Sequence, residues 1–350
     1  MSSQWNDGGE NCGLKFNRTA VCLRRNDENF LSCTQISDMN STWKPTASIK
    51  VLQLRAQLYK DIRRFFEARQ VLEVETPILG VGATVDPFID SLSTEVMGEL
   101  RYLQTSPEFY LKRLLAAGTQ DIYSLGKVFR QGEKGRRHSP EFTLLEWYRI
   151  EWDEHQLMSE VEELMALLLP SLSIHKVSYR ELFLQYLDVD PHTASINTLQ
   201  TLATTIMDVD INSDRKDTWL DVLMTHCIEP QLPDGLCFIY DYPASQAALA
   251  KLARDKQGQM VARRFELYLN RIELANGYFE LTDAVEQEQR FQHEQAYRRH
   301  HNLPDLPYDQ KLVDALKNGM PNCAGVALGV DRLLMVLSKA ESIEQVISFA

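Results

Sequence analysis

Hydrophobic residues recur every three or four positions from Val51, and this spacing predicts an amphipathic helix that ends near Gln70. Directly after it, Leu72 and Val74 alternate with acidic residues, a pattern typical of a half-buried strand. The strand stops at Pro77, because proline has no N–H to donate to a sheet. A helix that leads directly into a strand is therefore the first predicted element of the folded chain.

A second helix is predicted to start at Ser106-Pro107-Glu108, with Ser106 as the N-cap, and to end at Gly118. Glu108 then lies in the first helical turn. Its carboxylate either complements the positive end of the helix dipole or belongs to a site, and the local pattern leaves both readings open.

Two strands are predicted at about 122–130 and 142–150, and the charged loop 131–141 between them is too long for a tight hairpin turn. Alternation along the second strand points Glu146 and Tyr148 to the same, otherwise apolar, face. A carboxylate beside a phenol on such a face favours a pocket, because burying either group unpaired is costly. The alternatives are that Glu146 pairs with an arginine and that Tyr148 is a core phenol.

Residues 154–233 are predicted to form helices with acidic surfaces, a helical insertion in which the sequence indicates no chemistry. Strands return after it, and Asn276-Gly277 is a hairpin or bulge signal. The last part of the chain is predicted to be helical after Gly329. The predicted elements between the insertion and that helix are strands at 237–240, 264–269 and 272–281, a charged helix at 290–301 and a turn at 320–323.

Composition narrows the class of protein. With 44% hydrophobic and 25% charged residues the chain is typical of a globular protein, predicted as one domain over 42–350 after a disordered extension over 1–41. Its net charge of −12 has the wrong sign for a protein that mainly holds nucleic-acid phosphates. No apolar run reaches the roughly 18 residues that a membrane span needs, and no signal peptide pattern begins the chain. We therefore expect a cytoplasmic protein without membrane contact.

Three blocks in order resemble the signature motifs of class II aminoacyl-tRNA synthetases, and most closely those of the lysyl branch. The first block is Glu75-Thr76-Pro77. The second is Val128-Phe129-Arg130 together with 138–142 and 145–148. The third is 325–332, and the segment 272–277 lies between the second and the third. The resemblance covers about 43–350. It implies an α+β fold, in which helices flank an antiparallel sheet, and an ATP-dependent ligase that forms an aminoacyl adenylate.

The same resemblance implies an ATP site. Arg130 would contact the α-phosphate and the amino acid carboxylate, and Arg332 would reach the γ-phosphate and pack on adenine, whose other face would contact Phe142. Glu273 and Glu280 would hold Mg²⁺. The remaining expected ATP-site residues are Gly132, Glu133, Ser139, Leu274 and Gly329. Two positions depart from the family pattern: Gly132 stands where a glutamate is usual, so that the acid follows at Glu133, and Ser139 replaces an asparagine.

The amino acid site is expected to suit a substrate with two ammonium groups, because three acids accompany a hydrogen-bonding phenol. These residues are Glu108, Glu146, Glu280 and Tyr148, joined by Ser106, Pro107 and Ala327. Only about 50 residues precede the first helix, which predicts that no tRNA anticodon is recognised. Ala327 also replaces the glycine of lysyl enzymes. The resemblance thus implies activation of (R)-β-lysine and its transfer to a lysine ε-amine of elongation factor P.

Two other functions stay open on the sequence. One is a lysyl-tRNA synthetase-like enzyme that forms an α-amino acid adenylate. The other is a catalytically silent paralogue that acts as a binding protein, although retained Arg130 and Arg332 argue against it. The resemblance also implies a homodimer whose interface is formed by the first helix and strand.

Overall fold

A nine-stranded mixed sheet organises the chain in the computed structural model, which describes residues 43–207, 211 and 213–350. Residues 45–350 form one unit. The predicted extension over 1–41 lies outside the described residues. The strands are β1 (Leu72–Glu73), β2 (Leu79–Gly80), β3 (Ser93–Val96), β4 (Glu99–Leu103), β5 (Ile122–Phe129), β6 (Glu141–Ile150), β7 (Ile174–Ser178), β8 (Leu236–Pro243), β9 (Leu252–Arg254), β10 (Met260–Leu269), β11 (Ile272–Phe279) and β12 (Cys323–Gly329).

The large sheet has the order β1-β5-β6-β12-β11-β10-β8-β7, with β9 paired to β10. Its pairs are antiparallel except β1 with β5 and β7 with β8, which are parallel. A separate three-stranded sheet contains β2, β4 and β3. The α-helices are α1 (Ile49–Glu67), α2 (Glu108–Ala116), α3 (Glu154–Leu168), α4 (Tyr179–Leu187), α5 (Ile196–Ile206), α6 (Lys216–Leu223), α7 (Ala284–His300), α8 (Gln310–Gly319) and α9 (Val330–Ser338).

The sheet has one core face and one site face. Helices α1, α3 and α9 cover the core face, where Phe66, Leu145 and Trp147 are buried together with residues of those helices. Alternation along β6 therefore sends its odd-numbered residues into this core and leaves Glu146 and Tyr148 on the opposite face. None of the described helices is both long and apolar enough to cross a membrane.

The strand predicted over 272–281 is β11, and Asn276-Gly277 lies inside it, so the signal there does not mark a hairpin. The β10–β11 turn is at Asn270 and Arg271, which have φ of 49° and 67°. Gly277 is required there for packing, since a Cβ would lie 2.5 Å from the ring of Phe265. The glycine thus serves a close approach of strands, not a turn.

The segment 154–233 is not purely helical. Ile174–Ser178 forms strand β7 and extends the large sheet beside β8, while α3 packs into the main core and belongs to the catalytic domain. The helices of the insertion proper are α4, α5 and α6, which have their own apolar cluster. The start of α2 also differs by one residue: Pro107 is the N-cap, and the Ser106 hydroxyl accepts from the Glu108 N–H at 3.0 Å.

Candidate active site

A cavity of about 1000 Å³ lies on the site face of the sheet, and Arg130 and Arg332 both line it. The other predicted site residues that line it are Ser106, Glu108, Glu133, Ser139, Phe142, Glu146, Tyr148, Glu273, Leu274, Glu280, Ala327 and Gly329. Two predicted residues do not: Pro107 is buried at the start of α2, and Gly132 is exposed with φ of 80°. The turn at Gly132 brings Glu133 into the cavity instead, where its carboxylate lies 3.4 Å from the Arg130 guanidinium.

Glu146 lines one end of the cavity and is only 2% exposed. Its two oxygens accept hydrogen bonds from the Ser106 hydroxyl at 2.7 Å and the Tyr148 hydroxyl at 2.8 Å. In the described residues no arginine pairs with it, so the alternative reading of Glu146 as an arginine partner is wrong. The neighbouring strand contributes Ala327, whose Cα is the register partner of Glu146.

Lys112 is a buried residue beside the site that the sequence analysis did not single out. It is 1% exposed, and its Nζ lies 2.6 Å from Glu108 Oε1 and 2.6 Å from Glu280 Oε2. The pairing with Glu108 is an i,i+4 spacing on α2 that the sequence displays. Glu280 is fully buried, and its position 168 residues away in sequence gave no such signal.

Glu108, Glu146 and Glu280 form an acid cluster, and burial in it shifts the pKa values of Glu146 and Glu280. Burial, strengthened by the Glu108 charge, raises the pKa of Glu146 to about 8. Burial also raises the pKa of Glu280 to about 8, against the opposing attraction of Lys112. Burial alone would lower the pKa of Lys112, but Glu108 and Glu280 together outweigh it and raise that pKa above its ordinary value. The cluster therefore holds more carboxyl groups than its one cation keeps ionised at neutral pH.

Gly325 keeps this end of the cavity open. A Cβ at that position would lie 2.3 Å from Tyr148 Cε1 and 2.6 Å from Glu280 Oε1. The absence of a side chain at Gly325 thus leaves room above β12 for the Tyr148 ring and the Glu280 carboxylate.

The other end of the cavity is built around the two arginines. The Arg130 guanidinium lies 5.1 Å from the centre of the Phe142 ring, and its Nε donates to the Thr105 carbonyl at 3.3 Å. Arg332 donates to the Glu273 carbonyl at 2.9 Å and lies 2.7 Å from His138 Nε2. Burial and the Arg332 charge lower the pKa of His138, so its ring is neutral and can accept from the guanidinium.

Asp331, also missed, positions Arg332. Its buried carboxylate pairs with Arg55 of α1 and accepts from the Thr143 N–H of β6 at 2.5 Å. These contacts fix the first turn of α9 to the sheet. The neighbouring Arg332 is thereby held over the cavity.

A β-bulge determines which acids share the site. Leu267 pairs with Ala275 but Tyr268 pairs with Glu273, so Leu274 is an extra residue in β11. The extra residue reverses the alternation and turns Glu273 to the same face as Tyr268. Glu266 of β10 lies on that face too, and the Glu273 charge contributes, after burial, to raising its pKa.

The metal pair of Glu273 and Glu280 that the resemblance implies stays a prediction. Both residues line the cavity, and Glu280 pairs there with Lys112. Among residues 43–207, 211 and 213–350, no group of three or more His, Cys, Asp or Glu side chains is arranged to hold a metal by itself. A hard cation at these two carboxylates would take its other oxygens from a nucleotide and water.

Comparisons with known proteins identify the family of the chain. Residues 41–350 match the family described as tRNA synthetases class II (D, K and N). Proteins named elongation factor P–(R)-beta-lysine ligase are similar: that of Photorhabdus laumondii is 46% identical over 89% of this chain and 98% of its own length.

Those of Pseudoalteromonas translucida and Yersinia enterocolitica are 46% and 44% identical, each over 88% of this chain and 97% of their own lengths. The predicted α+β class II fold is thereby confirmed. The chain belongs to the class II tRNA synthetase family and, within it, to the group of these ligases.

Proposed function

We propose that the protein activates (R)-β-lysine with ATP as its adenylate and transfers the β-lysyl group to a lysine ε-amine of elongation factor P. One observation carries the substrate class: three carboxylates, Glu108, Glu146 and Glu280, line one end of the cavity, and a single buried lysine, Lys112, pairs with two of them. When all are ionised their net charge is −2, which matches a ligand with two ammonium groups. The names of the relatives support the β-isomer and the acceptor.

In the first step a β-lysine carboxylate oxygen attacks the α-phosphorus of ATP, and the bond to the bridging oxygen of pyrophosphate breaks. Negative charge grows on the phosphate oxygens. Arg130 stabilises it beside the carboxylate, while Arg332 and Phe142 hold the adenine. This chemistry needs placement and charge, so the site requires no nucleophilic side chain.

Glu273 and Glu280 would hold Mg²⁺, which would supply charge neutralisation for the departing pyrophosphate. Only two protein carboxylates are needed, since phosphate oxygens and water complete the coordination that this ion prefers. Arg332, which contacts Glu273, then connects the metal-holding carboxylate to the nucleotide.

In the second step the neutral acceptor amine attacks the carbonyl carbon of the adenylate. A C–N bond forms, the C–O bond to AMP breaks, and the amine nitrogen loses one proton. AMP leaves as a phosphate monoester, and the product is an amide on the acceptor lysine.

Pyrophosphate exchange followed by transfer tests this function. We expect ATP–pyrophosphate exchange with (R)-β-lysine well above that with α-lysine, and a mass increase of one β-lysyl group on elongation factor P. Preference for α-lysine would support the synthetase-like alternative. No exchange with any amino acid would support the silent paralogue.

Substrate binding is expected to release up to about two protons at pH 7. Without ligand, Glu146 and Glu280 are both mostly protonated, because burial raises the pKa of each to about 8. An ammonium group favours the carboxylate form, so binding drives the proton off. Calorimetric titration of (R)-β-lysine in phosphate and in Tris measures the release, because the two buffers differ in ionisation enthalpy. Release should fall towards zero above pH 9 and by about half in Glu146→Gln, and buffer-independent heats at pH 7 would contradict it.

The enzyme is also proposed to be a cytoplasmic homodimer. Apolar side chains are exposed on and around the small sheet and β1, and they are Leu72, Ile78, Leu79, Val81, Val96 and Leu100. A surface of this kind supports a protein interface. Sedimentation at micromolar concentration should give a dimer, and Leu100→Arg should shift it towards monomer. A monomer for the unaltered chain would contradict the proposal.

A further inference from the structure

The cavity extends sideways from the acid cluster to a second region, the insertion lobe, which is lined by Tyr179, Asp217, Asp221, Tyr242 and Gln246. Tyr179 begins α4, and both aspartates lie on α6 at i,i+4 spacing. Tyr242 is on β8, which is two strands from β11. Neighbouring strands lie about 4.8 Å apart, so the lobe is about 10 Å from the strand that carries Asn276 and Tyr278.

The two aspartates are held in place by neutral donors. Ser245 donates to Asp217 at 2.5 Å, and Gln246 donates to Asp221 at 2.7 Å. Arg215 lies 3.8 Å from Asp217, and no lysine or arginine of the described residues comes within 4 Å of Asp221. Burial and then the Asp217 charge raise the pKa of Asp221 to about 6, against the weaker attraction of Arg264. The excess of negative charge would be relieved by an arriving cation.

A buried hydroxyl in the same lobe also lacks a partner. Tyr179 is 1% exposed, and within the described part of the chain its phenolic oxygen has no hydrogen bond. Such a group costs free energy until a ligand satisfies it. Its ring centre lies 4.9 Å from that of Tyr242, so two aromatic rings border the space beside the aspartates.

These features define a ligand with a cationic, hydrogen-bond-donating end and an apolar stem. An alkylammonium group satisfies both requirements, since carboxylates and a phenol oxygen accept its protons and tyrosine rings pack against its methylenes. Both substrates of the proposed reaction carry this group. The acid cluster around Lys112 already matches the two ammonium groups of β-lysine, which leaves the lobe for the other substrate.

We propose, on the basis of the proposed function, that the insertion lobe binds the acceptor lysine side chain before it attacks the adenylate. Asp217, Asp221 and the Tyr179 hydroxyl receive the ammonium, and the stem lies along the rings of Tyr179 and Tyr242. The contact of Arg264 with Asn276 at 3.2 Å joins the wall of the lobe to the amino acid site. The helical insertion thereby acts in acceptor recognition.

Asp221→Asn tests the assignment, because it removes the charge and keeps the shape. We expect the KM for elongation factor P in the transfer reaction to rise about 10-fold, as a lost charged hydrogen bond implies. Exchange with ATP and (R)-β-lysine should keep its kcat and KM within about 2-fold, since Asp221 lies outside the activation site. Tyr179→Phe should raise the acceptor KM about 3-fold. Asp188→Asn, an exposed acid of the insertion in the left-handed region that asparagine tolerates, is the matched control and should change neither reaction.

The outcomes separate the two proposals. An equal rise in the KM for (R)-β-lysine would assign the lobe to the amino acid site and overturn the inference, as would an unchanged acceptor KM in both variants. Failure of the unaltered enzyme to exchange or to transfer would instead overturn the proposed function.

Discussion

Arg130→Ala lowers kcat/KM for ATP–pyrophosphate exchange by about 10²- to 10³-fold, the loss expected when one preorganised donor is removed from a developing phosphate charge. Arg130 extends from the end of β5 into the cavity and lies beside Phe142 and Glu133. Its fork of N–H donors matches carboxylate and phosphate oxygens together, which a single ammonium does not. The measurement is steady-state exchange at saturating (R)-β-lysine.

Lys127→Ala is the matched control for Arg130→Ala. It removes a cation from the same strand, but this side chain is exposed, pairs with Glu141 and does not line the cavity. Exchange should stay within about 2-fold of the unaltered enzyme, since exposed ion pairs contribute little. Equal losses of exchange activity in both variants would mean that the reaction depends on the overall positive charge of the protein and not on the position of Arg130.

Patterns of local alternation predicted the part of the site that depends on local geometry. Period two along β6 placed Glu146 and Tyr148 on one face, and the structure has both in the cavity. The helix after Gly329 is α9, which carries Arg332. In both cases the direction of a side chain follows from its own element, so no distant partner had to be known.

Pairings between distant segments explain most of what the sequence did not predict. Strand β7 forms because it pairs with β8, about 60 residues later, and its own residues do not distinguish it from the surrounding helices. The Asn276-Gly277 signal is local, but packing of Phe265 against Gly277 overrides it. The bulge at Leu274 has no sequence signature, although it decides that Glu273 faces Glu266.

Lys112 pairs with one residue that is close in sequence, Glu108, and with one that is distant, Glu280. Its removal has the largest expected effect on the free energy of unfolding. Lys112→Met leaves Glu280 buried without its counter-ion, beside two further carboxylates. Breaking a buried pair in this way costs about 3–5 kcal/mol of the free energy of unfolding. Urea unfolding at pH 9, above the pKa of about 8 that Glu280 has beside Lys112, measures the loss. Lys127→Met, which breaks an exposed pair, should cost at most about 1 kcal/mol.

A second substitution identifies the cause of the loss. If the unpaired charge of Glu280 causes the loss, adding Glu280→Gln to Lys112→Met should recover part of the free energy of unfolding. The double variant no longer buries Glu280 as an unpaired ion. No recovery would indicate that lost packing of the lysine stem dominates.

The pH dependence of the Lys112→Met loss follows from the raised pKa of Glu280. A carboxyl whose folded pKa lies near 8, above its ordinary 4.5, contributes stability that is complete below about pH 4.5 and is lost as pH rises through 8. Removing Lys112 raises that folded pKa further, since the lysine was the only opposing attraction. The gap in unfolding free energy between Lys112→Met and the unaltered protein should therefore be small at pH 5, where Glu280 is neutral in both, and should widen by pH 9, where Glu280 ionises beside Lys112 but not beside methionine. A gap of equal size at both pH values would contradict a charge origin and would show that Lys112 stabilises the fold through its methylenes.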